Sequence, residues 1–237
     1  MKLDHKAVFV SGANRGIGKA LVEALLKEKV SKVYAAARDI KSLKFADPRV
    51  VPVELDITNR EQIENAARLA GNVDVLINNA GVATFASVVD ATTNDLMTDM
   101  QVNYFGTLSM VNAFAPVIEK NGGGTIANVI SVVGLASIPG IGGYSASKAA
   151  LFSATQAMRA QLKAKNIFVC GIFPGPIDTD MAKDFPMEKA SAQSAAEKIV
   201  AGIIADQEDI FPDAMSAHVG ELWKKDPKAV EQQFGTM

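Results

Sequence analysis

Residues 7 to 18 read Ala7-Val8-Phe9-Val10-Ser11-Gly12-Ala13-Asn14-Arg15-Gly16-Ile17-Gly18, and their order decides the fold. The first four form a short apolar run suited to a buried strand, the glycines make a tight turn, and a helical pattern follows to about Lys29. Strand, glycine turn and helix in immediate succession open a βαβ unit. Glycine lets the backbone turn sharply and come close to a pyrophosphate. The helix behind it offers unpaired N–H groups and the positive end of its dipole. The spacing Gly-x-x-x-Gly-x-Gly differs from Gly-x-Gly-x-x-Gly and from the P-loop, which also requires Gly-Lys followed by Ser or Thr.

Downstream segments repeat the alternation. A second strand, about Lys32 to Ala37, ends at Arg38-Asp39. In a dinucleotide fold the residue closing this strand meets the adenosine ribose, where a carboxylate suits the 2′-OH of NAD and an arginine a 2′-phosphate. Ala37 in that place, with Arg38 beside it and Arg15 in the glycine turn, favours NADP; a one-residue shift of register would bring in Asp39 instead. The link from Asp39 to Arg49 leaves room for a single helical turn before a strand over Val50–Leu55. Asp56-Ile57-Thr58 follows, with Thr58 or Asn59 placed to cap a helix reaching about Ala70. A fourth strand, Asp74–Asn78, closes on Asn79-Ala80-Gly81, a turn suited to the carboxyl edge of a parallel sheet, where ligands bind.

The stretch Thr93 to Lys120 predicts a long helix interrupted near Gln101–Gly106, with the polar Asn103 at the break. Gly122–Gly124 ends it, a strand over Thr125–Ile130 delivers Ser131, and a helix from Tyr144 to Lys165 leads to a strand over Ile167–Phe173. Pro174-Gly175-Pro176 then opens an irregular segment whose apolar Met181, Phe185 and Met187 suit a lid, or equally a connector with buried anchors. Helices follow at about 192–205 and after Pro227, with a short Ile210-Phe211 segment between. No repeat or linker divides the chain. One domain is expected over residues 1–237, with a lid at about 178–190 and a helical tail from about 213.

Composition narrows the functional classes. Of 237 residues, 49% are hydrophobic, and 24 basic against 26 acidic residues leave a net charge of −2. Such a balance makes no electrostatic case for nucleic acid or an anionic membrane. No apolar run approaches the roughly 18 residues that span a bilayer, and no apolar signal region precedes the first strand, so a cytoplasmic location is expected. The single cysteine, Cys170, allows no internal disulfide or cysteine-based metal cluster and lies in an apolar run, as a packed thiol rather than a nucleophile. His5 and His218 have no ligand-like neighbours; no metal site is expected.

Chemistry concentrates in Ser131 to Lys148. Tyr144 and Lys148 stand four residues apart in a breaker-free helical stretch and so share a face. An ammonium beside a phenol favours phenolate and should lower the tyrosine pKa towards that of a working general acid or base. Taken alone, Tyr-x-x-x-Lys also describes an ordinary amphipathic helix with a solvated lysine.

The glycine turn, Asn78-Asn79-Ala80-Gly81, Ser131 with Tyr144-x-x-x-Lys148, and Pro174-Gly175, in that order, resemble the short-chain dehydrogenase/reductase family in its single-domain subgroup. The likeness covers about residues 6 to 182. It implies an α/β doubly wound parallel sheet, the Rossmann fold, flanked by helices on both faces. It further implies that Tyr144 is the general acid/base, that Ser131 hydrogen-bonds the substrate carbonyl, that Lys148 tunes Tyr144 and binds the nicotinamide ribose, and that Asn103 holds a water linking Lys148 to solvent. Ser11, Gly12, Asn14, Arg15, Gly16, Ile17 and Gly18 would form the pyrophosphate turn and Arg38 would meet the 2′-phosphate. Asp56 and Ile57 would contact adenine, Asn78, Asn79, Ala80 and Gly81 the adenosine side, and Pro174, Gly175, Ile177 and Thr179 the nicotinamide end. Ser11 stands where the family usually has Thr, and Cys170 where Asn is frequent. The tail lacks the glycine-rich ending of the family's tetramers, which leaves a homodimer or a monomer open.

Together these readings point to an NADPH-dependent reductase of a hydrophobic ketone or aldehyde, a small-molecule substrate. Val133, Ala136, Ile138, Ile141, Phe85, Met181 and Phe185 would form an apolar wall beside the polar Ser131 and Tyr144. Two alternatives stand beside it. A 3-oxoacyl thioester reductase would need a basic mouth for an acidic carrier, towards which only Lys183 and Lys189 point. A non-catalytic NADPH-binding sensor would not need the four catalytic-type residues that are present.

Overall fold

The structure, a computed structural model, describes residues 2–237. Its centre is a seven-stranded sheet of β1 (Ala7–Ser11), β2 (Lys32–Ala37), β3 (Val50–Glu54), β4 (Val75–Asn78), β5 (Gly124–Val129), β6 (Ile167–Ile172) and the short β9 (Asp209–Ile210). Strand order is β3-β2-β1-β4-β5-β6-β9, all pairs parallel. The order reverses direction between β1 and β4. A crevice opens there at the carboxyl ends, where open parallel sheets bind ligands. The doubly wound α/β sheet expected from the sequence is therefore the fold, in a single domain.

Alternation along each strand builds two apolar layers. In β1, Val8 and Val10 face one side, packing with Leu21 and Leu25 of α1 (Gly16–Lys27) and Ile199 and Ile203 of α6 (Ala192–Ile204). Ala7 and Phe9 face the other side. There they meet Ile63 of α2 (Arg60–Leu69), Phe114 and Ile118 of α4 (Thr107–Lys120), and Met158 and Leu162 of α5 (Gly142–Lys163). Phe114 is fully buried with its ring centroid 4.7 Å from that of Phe9. Phe114→Ala should lower unfolding stability by about 3–5 kcal/mol, read from urea denaturation, because the sheet and helix backbones cannot collapse into the space.

Several boundaries differ from the sequence reading for local reasons. The turn between β2 and β3 is the single 3-10 turn Ile40–Ser42 expected from its length. β5 begins at Gly124, placed in the preceding turn by its composition, because its N–H and that of Thr125 already bond across to Asn166 and Asp74. α5 starts two residues before Tyr144 and ends two before Lys165. The break in the long helix is a π-helical stretch, Met100–Gly106, joining α3 (Thr93–Asp99) to α4. Cys170 is fully buried in β6, and burial pushes its thiol up to about 12, as suits a packed, unreactive side chain.

Behind the carboxyl edge, α7 (Ala214–Lys225) and α8 (Pro227–Phe234) close a third apolar cluster. Phe173, Val219, Val230 and Phe234 pack there with Val132, Val133 and Leu151. The tail thus backs the loop that follows β5. Residues 177–191 form β7 (Ile177–Asp178) and β8 (Ala190–Ser191), paired in parallel around the turn Asp180–Ala182. Lys189 donates from Nζ to the carbonyls of Ala182, Lys183 and Phe185, which ties that turn together. No helix among the described residues is long and apolar enough to cross a membrane.

Candidate active site

The carboxyl end of β1 leads into the glycine turn, and the turn is fastened to the end of β4. The hydroxyl of Ser11 accepts from the N–H groups of Asn79 and Ala80 at 3.0 and 3.1 Å. Asn79 Nδ2 donates to the carbonyls of Ser11 and Gly12. Gly12 has φ +65°, and a Cβ there would stand 2.9 Å from the Ala80 Cα. At Gly18 it would stand 2.1 Å from the Gly12 carbonyl oxygen. No side chain larger than hydrogen fits either place. α1 begins immediately after, with no side-chain cap and no acid in its first turn. Its free N–H groups and dipole end therefore face the crevice, which is what an anionic pyrophosphate requires. The residues present fit a dinucleotide.

Around this turn a cleft of ≈ 480 Å³ is lined by Asn14, Arg15, Gly16, Asp178, Thr179 and Asp180, among others. The Thr179 methyl lies 3.1 Å from where a Gly16 Cβ would be, so the segment after Pro176 leans over the turn. Arg15 donates to Asp180 at 3.0 Å, an exposed pair. Ile17 packs half-buried against the core beneath.

On the β2 side, Ala37 is buried and Arg38 is exposed. Asp39 turns away, its carboxylate accepting from the Lys41 N–H as cap of the 3-10 turn. Register places Ala37 opposite Glu54 at the end of β3. Asp56 follows; burial works to raise its pKa, but the N–H and hydroxyl of Thr58 and the charge of Arg38 outweigh it and hold the carboxyl below the usual range. Ile57 is buried in the core and Asn78 donates from Nδ2 to Asn128 at 2.9 Å, which in turn donates to Thr155.

The third group gathers at the ends of β5 and α5. Ser131 donates its hydroxyl to the Pro174 carbonyl at 3.2 Å and caps the turn Val132–Gly134. Tyr144 and Lys148 lie one turn apart on α5, with Lys148 Nζ 5.6 Å from the Tyr144 ring centroid. Lys148 is 3% exposed and donates to the Val129 carbonyl at 2.9 Å. Burial pulls its pKa down to about 8, opposed by the charge of Asp99. Burial and then Asp99 push the Tyr144 hydroxyl above the usual tyrosine range, and a hydrogen bond with Ser131 works the other way. The tyrosine is therefore raised, where the Tyr–Lys spacing led us to expect lowering. Desolvation and the charge of Asp99 depend on three-dimensional surroundings that the spacing does not reveal.

Asn103 sits in the π-helical stretch, fully enclosed. Its Oδ1 accepts from the Val82 N–H, and its amide donates to the Val82 carbonyl and to Ser147 Oγ. Both side-chain amide protons are thus used within the protein. Gly81 lies against this group: a Cβ there would meet Asn103 Oδ1 at 3.0 Å and Lys148 Nζ at 3.5 Å.

The substrate-side residues divide. Ile138 and Ile141 are half-buried beside Tyr144, whereas Val133 is 6% exposed and packs into the third cluster. Phe85, with φ +52°, meets Phe185 edge-on at 5.7 Å, and Met181 stays exposed. Gly175 donates its N–H to Asp213 Oδ2 at 2.8 Å. Sequence reasoning passed over two acids here, Asp99 and Asp213. Asp213 left one local signal, the spacing Asp213-x-x-Ser216, which forms a capping box at the start of α7.

The family model for short chain dehydrogenases matches residues 6–190. The 3-oxoacyl-acyl-carrier-protein reductase of Thermotoga maritima is 31% identical over 220 residues, covering 89% of each chain. A short chain dehydrogenase from Burkholderia cenocepacia, solved in complex with NADP, superposes with a TM-score of 0.94 at 37% identity over 99% of each chain. One from Burkholderia phymatum, solved in complex with NAD, is 24% identical with a TM-score of 0.85, covering 97% of this chain and 96% of that one, a likeness of fold.

Proposed function

Given that this chain belongs to the short-chain dehydrogenase family and is an oxidoreductase of that family, we propose that it is an NADPH-dependent reductase of hydrophobic ketones or aldehydes. The observation that carries the reading is the convergence of Ser131, Tyr144 and Lys148 at the carboxyl edge of the sheet, with the half-buried Ile138 and Ile141 in the same apolar cluster as Tyr144. When bound, a nicotinamide dinucleotide supplies the hydride. Ser131 and Tyr144 offer two hydroxyls to the carbonyl oxygen, where negative charge develops. A tyrosine held above its usual range is protonated in the resting enzyme, and an alkoxide is basic enough to take that proton. Lys148, as an ammonium, opposes the charge left on the phenol oxygen. Asn103 fastens Val82 to α5 and so keeps the segment after Gly81 in register with Ser147 and Lys148. The lid at 178–190 would exclude water.

Arg38 supports NADPH over NADH, because Asp39, the acid that directly follows it, is spent on capping the next turn. Arg15, held only in an exposed pair worth at most about 1 kcal/mol, can leave Asp180 for a 2′-phosphate. Arg38→Ala should lower the ratio of kcat/KM for NADPH over NADH at least about tenfold. An unchanged ratio would refute the NADP assignment.

A second reading, 3-oxoacyl thioester reduction, is favoured by the likeness to the Thermotoga protein. Against it, Lys189 is tied to three carbonyls, leaving Lys183 alone at that mouth. The test for both is a panel of aliphatic, aromatic and 3-oxoacyl substrates assayed with both cofactors. Activity confined to 3-oxoacyl thioesters would select the second reading, and no NADPH oxidation on any substrate would overturn both.

A further inference from the structure

The most enclosed charge near Tyr144 and Lys148 belongs to neither. Asp99, the last residue of α3, is 0% exposed. Its Oδ1 accepts from the Thr84 N–H at 3.1 Å and its Oδ2 from the Thr84 hydroxyl at 2.8 Å. Space for it exists because α5 opens with two glycines: a Cβ on Gly143 would lie 3.3 Å from Asp99 Oδ2 and 2.7 Å from Leu96 Cδ2. The carboxylate therefore sits against the first turn of the helix carrying Tyr144 and Lys148. It also holds the segment that runs from Gly81 to Ala86, and the Gly143 N–H bonds to the Ala86 carbonyl of the same segment.

A buried carboxylate is costly unless something uses its charge. Its charged surroundings are few. Lys148 of α5 attracts it, Asp95 one turn earlier on α3 repels it, and the Tyr144 hydroxyl lies within its field. Burial raises the Asp99 pKa, and the Thr84 bonds and Lys148 draw it back. In the other direction, Asp99 is the group that opposes the burial of Lys148. Val129 gives Lys148 a carbonyl partner but no charge.

We propose that Asp99 is a positioning residue for the reaction: its carboxylate is the counter-charge that keeps Lys148 an ammonium, and its bonds to Thr84 seat the 81–86 wall beside Tyr144. The inference rests on the reductase reading, with Lys148 acting as a cation. Two variants separate the two parts. Asp99→Asn keeps the shape and can still bond Thr84, but removes the charge; Thr84→Val keeps the charge and removes one bond.

The decisive measurement is titration of Lys148 by its ¹³Cε shift in lysine-labelled protein, assigned by difference with Lys148→Met. Without the nearby anion the ammonium is less favoured, so D99N should move the midpoint downward by about half a pH unit or more. The alkaline limb of kcat/KM for ketone reduction should move the same way. T84V should leave that limb in place and raise KM several-fold with kcat within about twofold. A Lys148 midpoint in D99N unchanged from wild type, with D99N melting within a few degrees of it, overturns the counter-charge. An unchanged KM in T84V overturns the seating. The Lys148 titration needs no turnover, so it decides on Asp99 even if the wild-type protein reduces no ketone, a result that would sink the functional reading alone.

Discussion

Tyr144→Phe is expected to lower kcat/KM for ketone reduction at least about a hundredfold while leaving the NADPH Kd within about threefold. The change removes one oxygen and nothing else. Phenylalanine keeps the ring against Ile141 and the start of α5, so the fold should be untouched. What disappears is the proton donor to the developing alkoxide; Ser131 remains as a hydrogen-bond donor but is itself bonded to the Pro174 carbonyl. Stopped-flow reduction with a reactive ketone, beside fluorescence titration of NADPH, separates the two effects. Loss of NADPH binding in parallel with turnover would mean that Tyr144 serves the cofactor site. A variant as active as wild type would mean that the chemistry lies elsewhere.

Gly18→Ala carries the other large effect, on binding and stability together. A methyl 2.1 Å from the Gly12 carbonyl oxygen and 2.4 Å from Asn79 Nδ2 cannot be accommodated by rotating a side chain, since the first obstacle is backbone. The turn must open, and with it the bonds that Asn79 makes to Ser11 and Gly12. We expect a loss of about 2–4 kcal/mol in unfolding free energy and an NADPH affinity at least about a hundredfold weaker, corresponding to about 2.7 kcal/mol. Urea denaturation and NADPH titration by isothermal calorimetry measure the two quantities. Wild-type affinity in G18A would show that the nucleotide does not depend on this turn.

Much of the site was legible because its signals are local. Strand, glycine turn and helix follow one another within a dozen residues, and the helical period puts Tyr144 and Lys148 on one face. The single turn between β2 and β3 follows from its length. The interruption at Gln101–Gly106 was visible as composition, though its π-helical form was not. Asp39 was ambiguous in sequence, since a shift of one residue decides whether a carboxylate ends β2. The pairing of Ala37 with Glu54 and the Asp39 cap resolve it.

What escaped was non-local. Asp99 reads as an ordinary helical acid until Thr84, 15 residues earlier, and the first turn of α5 fold onto it. Asp213 meets Gly175 from 38 residues away, which makes the tail, legible in sequence only as helices, a support for the Pro-Gly turn. The direction of the Tyr144 shift failed for the same reason.

By itself the sequence determined which polar groups gather at the carboxyl edge and the order in which a parallel sheet presents them, because backbone periodicity and glycine sterics act over a few residues. Only the tertiary structure decided how those groups are charged and what seats them, because burial and the field of Asp99 arise where distant segments pack.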